Sequence, residues 1–216
     1  LCILATNGVT FPSTFTLGTG YALCLNTNVS ETGHWTIPSG AMLSHSRNKG
    51  SRRRTLDLTL DGAMTIDNGG AVSADGKGYR ILFGPGAGTS TADGGSYGGR
   101  GGDWGDNGST RVTYGSILNP SALGSGAQRA TGTGGGAVRL VVTGALTNNG
   151  TISANGPDGT SGAAGSGGSV RIRAGSLSGN GSIQADGGDE KYGGGGGGRI
   201  RVKLTSGTDF DSVTCR

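Results

Sequence analysis

The side chains able to do chemistry in this chain are few, and most fall into repeated positions. Tyr97, Arg100, Trp104 and Tyr114 are the large residues of a glycine-rich stretch, 77–134. Aromatic faces beside a guanidinium stack on sugar rings or on a protein partner, so these four form a candidate binding patch. The competing expectation is that they pack down and cover the rest of the chain. Arg139, Arg171 and Arg201 recur at one register, with Arg173 and Lys203 at a second. Cations stacked about 4.8 Å apart repel unless acids lie between them. Asp57, Asp103, Asp189 or Glu190 could supply the acid from within; an acidic polysaccharide or a neighbouring subunit could supply it from outside. The run SRNKGSRRR (46–54) is either a solvated loop or a contact for an acidic glycan or an adjacent subunit.

Asp75, Asn155 and Asp186 hold equivalent places, each directly before a glycine. Asp and Asn bond to their own turn and tolerate left-handed backbone, so the three read as a structural corner ladder. Stacked oxygens there could hold calcium, but the nonapeptide calcium repeat is absent and no metal is expected. Cys2, Cys24 and Cys215 match no metal-site spacing. Either Cys2 and Cys24 pair locally and leave Cys215 free, or a terminal cysteine bonds the next molecule, or all are buried thiols. The two histidines, His34 and His45, lie outside the repeats, and the acids are scattered. No thiol has a base near it in sequence, so no catalytic residue and no cofactor are expected.

The elements that must position these residues are written as a repeat. GGGAVRLVVTGALTNNGTISANG is followed by SGGSVRIRAGSLSGNGSIQADG, and GGGGRIRVKL opens a third copy. Val138, Val170 and Ile200 head equivalent alternations, 32 and then 30 residues apart, while Leu146 and Leu177 match at 31. Self-similarity at such a period signals stacked units that cannot bury their apolar faces alone. Residues 55–76 are an earlier, divergent copy in which Leu56, Leu58 and Leu60 alternate with polar residues, a strand with one buried face. Val72, Ile152 and Ile183 should then share one inward stack. Asn149-Gly150 and Asn180-Gly181 raise a rival, an antiparallel hairpin in each unit. Near-constant spacing favours parallel stacking, with Asn-Gly at corners. The fold expected is all-β, a parallel β-helix (β-solenoid) with long glycine-rich loops. Residues 1–54 are its N-terminal rungs or cap, 55–204 its repeats with an excursion at 77–134, and 205–216 a strand-like tail.

Composition agrees. Among 216 residues 49 are Gly and only 32% are hydrophobic, too few for a broad core but enough for a thin one repeated along an axis. The net charge of +4 is too mild to argue for nucleic acid. No apolar run approaches the roughly 18 residues of a membrane span. The chain begins at Leu1 instead of Met, and its original start is expected to have been removed.

The motifs ADGKGY (74–79), GPGAG (84–88), SYGGRGG (96–102), TYGS (113–116), LGSG (123–126), GTISANG (150–156), GSGGSVRI (165–172) and GGGGGGRI (193–200) give residues 55–204 a resemblance to glycine-rich β-helical repeat regions of large bacterial secreted and cell-surface proteins. The resemblance implies an extracellular or cell-surface location and carries no catalytic residues. The function expected is a non-enzymatic structural subunit that assembles with itself, head to tail, into a filament or surface layer. The alternatives are an adhesin-type polysaccharide-binding module and, third, a β-helix polysaccharide lyase or hydrolase.

Overall fold

The computed structural model describes residues 2–5, 9–89, 92–103, 112–128, 132–159, 162–207 and 209–216, for 2–5 the backbone alone. Among the described residues it is all-β, with thirteen strands and no helix. These are β1 (Cys2–Ala5), β2 (Thr14–Thr16), β3 (Ala22–Leu25), β4 (Val29–Ile37), β5 (Met42–Ser44), β6 (Leu56–Ile66), β7 (Ala71–Ser73), β8 (Ala137–Asn148), β9 (Thr151–Ser153), β10 (Ser169–Ser178), β11 (Ser182–Gln184), β12 (Arg199–Leu204) and β13 (Thr214–Cys215). Odd-numbered strands form one sheet and even-numbered strands the other, each in sequence order. Strand pairing is parallel throughout, which excludes hairpins within the units.

Register follows the repeat. Leu56, Val138, Val170 and Ile200 are successive partners, as are Leu58, Leu140, Ile172 and Val202. On the other sheet Leu23, Leu43, Val72, Ile152 and Ile183 stack in one column, all 5% exposed or less. These columns face each other and form one core cluster. The change of spacing from 32 to 31 is a bulge: β8 carries one residue more than β10, between Val142 and Ala145.

The long strands bend at a column of glycines. Gly33 and Gly62 are register partners with φ of 109° and 153°, and a Cβ on Gly62 would overlap the Gly33 carbonyl. Only glycine allows the chain to turn there while its neighbour stacks directly on it. At the β2 side Phe11 and Phe15 lie 4.8 and 4.7 Å from the Trp35 ring and lean over the core.

The stretch 77–134 is not the structureless excursion that its composition suggests. Its described segments join 162–168 and 187–198 in a layer built almost wholly of backbone. Within 132–136, Gly134 N donates to Tyr79 O, Gly135 N to Ser166 O and Gly136 N to Ala74 O. Three successive donors thus reach three different segments. Directions recur every third residue: Ala164 and Gly167 both donate to the 193–196 segment, and Gly124 and Ala127 both to 132–135. An extended chain with three residues per turn and no internal hydrogen bonds, as in polyproline II, has this property. Over 92–97, 123–127, 132–136 and 162–168 the layer is buried, so its amides there must pair, and they pair sideways.

Candidate functional site

The glycine layer decides what the aromatic patch does. Tyr97 is fully buried; its ring lies 4.8 Å from that of Tyr114, and its hydroxyl is 2.7 Å from Ser169 Oγ at the start of β10. The Tyr114 hydroxyl donates to Leu123 O at 2.5 Å, and the Tyr114 carbonyl accepts the Arg199 guanidinium at 3.0 Å. Burial raises both phenol pKa values. The two tyrosines therefore clamp the glycine stretch onto the first residues of β10 and β12. For Tyr97 this decides between the two expectations: it packs down against the repeats and has no surface left for a ligand, so it is not part of a binding patch. Arg100 is exposed, and Trp104 lies outside the described residues.

The arginine column is aligned as expected, with Arg139, Arg171 and Arg201 in register across β8, β10 and β12. Arg139 pairs with Asp57, its register partner on β6. Arg201 donates to Leu118 O at 2.5 Å and to Asn119 Oδ1 at 3.3 Å. Two of the three cations are thus held from inside, one by an acid and one by the stretch that crosses the sheet. Arg171 has no ion pair among the described residues and lines a small cavity with Arg52, Asp57 and Pro120.

Asp75, Asn155 and Asp186 do form a ladder, by a different device from the expected one. None has a positive φ; the non-glycine residues that do, among those described, are Leu82, Ala92 and Asp211. The side chains of Asp75 and Asn155 instead reach the next copy, while that of Asp186 pairs with Arg216. Asp75 Oδ1 accepts from Asn155 N at 2.6 Å, and Asn155 Oδ1 accepts from Asp186 N at 2.8 Å. Asp158 and Asp189 repeat the device at 2.8 Å. The short acceptor satisfies a backbone amide at a corner where the sheet ladder has stopped.

Cys24 is disulfide-bonded and Cys215 is free and exposed, which removes the alternative in which every cysteine is a thiol. The side chain of Cys2 lies outside the described residues. His45, which the sequence left without a role, is fully buried where the glycine layer enters β8. Its Nδ1–H faces Ser46 O at 2.9 Å, and its Nε2 accepts from Ala137 N at 3.4 Å. Burial, first, and the nearby Lys77 and Arg54 lower its pKa to about 4.

The basic run encloses a polar cavity. Arg47, Lys49, Ser51, Arg53 and Arg54 surround a cavity of about 310 Å³ with Asn48 at its base. No carboxylate lines it. No known protein family, curated protein or solved structure matches the chain, so function rests on this geometry alone.

Proposed function

We propose that the chain is a parallel β-helix (β-solenoid) and a non-enzymatic, extracellular structural subunit whose copies stack head to tail into a filament or surface layer. The observation that carries this is the β12 side of the molecule. Ile200, Val202 and Leu204 are only partly buried, whereas their register partners Val170, Ile172 and Ala174 have no exposed surface. An unpaired strand with apolar residues at its edge is a template for another strand, and a head-to-tail contact that does not close gives a filament. The opposite side carries the partly buried Phe11 and Phe15, packed over the buried Trp35, a surface of different shape and chemistry. Such an unlike pair of ends suits a heterologous contact.

Sedimentation velocity and negative-stain microscopy over a rising concentration series test this reading. Concentration-dependent fibres or sheets are expected. Monodisperse monomers at the highest concentration overturn it.

A second reading, an adhesin-type module that binds acidic polysaccharide, is favoured by the cation-lined cavity at 47–54 and not by the buried tyrosines.

A further inference from the structure

We infer that residues 47–54 form a preorganised site for the anionic groups of an acidic polysaccharide. This deepens the second reading above and is independent of self-assembly. The loop carries Arg47, Lys49, Arg52, Arg53 and Arg54 within eight residues, and four of these five side chains line the cavity. Like charges gathered this closely repel, and a flexible loop would spread them into solvent.

This loop is not free to spread. Asn48 is 2% exposed and uses its whole hydrogen-bonding capacity on the loop and its support. Its Oδ1 accepts from Arg53 N and Arg54 N, each at 2.8 Å, and its Nδ2 donates to Arg54 O at 2.7 Å and Lys77 O at 2.9 Å. Arg80 N pins the far side through Lys49 O at 3.1 Å. Two guanidinium groups are oriented as well: Arg53 Nε donates to Ser51 Oγ and Arg54 Nη1 to Arg47 O. Among the described residues none of the four lining cations has an acidic partner within ion-pair distance. The fold therefore holds like charges together around a hollow and leaves them unneutralised, which is the condition for anion capture.

Guanidinium forks match the paired oxygens of carboxylates and sulfates. Single-stranded nucleic acid fits less well, because no aromatic side chain lines the cavity to stack on a base. A sugar polymer bearing carboxylate or sulfate groups meets the cations without needing such a platform.

The test uses the full chain immobilised on a sensor surface, with polygalacturonate and dextran sulfate as the carboxylate and sulfate probes. Neutral dextran and oligo-dT serve as comparison polymers. Retention of at least one acidic polysaccharide is expected, weakening with added salt. The double variant R47Q/R53Q should lose about tenfold or more in affinity, since each lost contact is a charge-assisted hydrogen bond. The double variant K191Q/R216Q removes the same charge from exposed positions elsewhere and should change affinity by less than about twofold. Equal losses in the two variants would show a diffuse charge effect and overturn the site. Tighter binding of oligo-dT than of either acidic polysaccharide overturns the ligand class. If R47Q/R53Q abolishes assembly of copies and leaves polymer retention intact, the loop is a subunit contact and the inference fails. If neither acidic polymer is retained by the unaltered chain, the binding-module reading fails with it.

Discussion

The two-sheet core and the glycine layer lie side by side in one chain and are held by opposite means. In the core, columns such as Leu58, Leu140 and Ile172 fill space with side chains, and the sheets follow from their alternation. In the layer, carbonyl oxygens sit where Cβ atoms would be, and amides bond from segment to segment. Core packing tolerates changes of volume at a graded cost. Backbone-on-backbone packing has no such gradation, because at most of its glycines a Cβ would fall on a neighbouring backbone atom. Ordering glycine is also entropically expensive, so the layer depends on each of its amides finding a partner.

The sharpest break of this comparison is one methyl group. A Cβ on Gly134 would fall inside the Gly124 carbonyl, which cannot move without breaking its own contacts in the layer. Gly134→Ala should cost about 4 kcal/mol or more, or prevent folding. Gly197 faces open space and has no strained φ, so Gly197→Ala should stay within about 0.5 kcal/mol. Equal denaturation midpoints for these two variants would refute the layer as described.

The core should respond less steeply. Leu140 is fully buried between Leu58 and Ile172, and Leu140→Ala should destabilise by about 3 kcal/mol through lost transfer energy and a residual cavity. Leu140→Met should recover most of that in the same chemical denaturation series. A like-for-like rescue does not exist at Gly134, and that contrast is the measurable difference between the two regions.

How far each region could be read from sequence follows from the same difference. The spacing of Val138, Val170 and Ile200 identified the columns and the parallel direction, because side chains encode them; the bulge near Gly144 came only with the register of β8 on β10. The Asp75, Asn155 and Asp186 positions were legible as corners, although the role of Asp75 and Asn155 as acceptors for the next copy was not. The glycine layer was illegible. Its order lies in the directions of backbone donors, which glycine-rich sequence does not distinguish from loop. For Tyr97 and Tyr114 the sequence left two expectations open, a surface patch or packing against the repeats, and their place as bolts against β10 and β12 follows the second. Repeat length held a clue: Ala22 and Met42 are partners 20 residues apart, whereas Thr151 and Ser182 are 31 apart. The surplus is a glycine segment, absent between the first strands, and this is why residues 1–54 differ in composition. The cation cavity was visible as a charge run, but the pinning by Asn48 depends on a fold that local sequence does not show.

His45 sits at the seam between the regions and gives it a pH dependence. Its folded pKa, about 4, lies below the ordinary 6.5, so the folded state resists protonation and the unfolded chain does not. Stability is therefore fully present above about pH 6.5 and is lost as pH falls towards 4. Between pH 7.5 and pH 5 the loss should be about 2 kcal/mol from this group. Thermal melts across that range should show it, and His45→Gln should flatten the profile relative to the unaltered chain. An unchanged slope would mean that the ring is not sealed between Ser46 and Ala137.

The smallest effect expected concerns the bolt itself. Tyr97→Phe keeps the ring against Tyr114 and removes only the hydroxyl beside Ser169 Oγ. Ser169 still donates to Ala122 O at 2.6 Å, so no buried donor is stranded. The cost should be about 1 kcal/mol, the net value of one buried hydrogen bond. Hydrogen exchange sharpens the point, because it reports where stability is lost. If layer and core unfold as one unit, Tyr97→Phe should speed exchange of Leu140 and Gly167 amides equally. If the layer opens first, only Gly167 and its neighbours should accelerate. The clamp built by Tyr97 and Tyr114 joins residues of both regions through hydroxyl and carbonyl alike, so equal acceleration is the expected result.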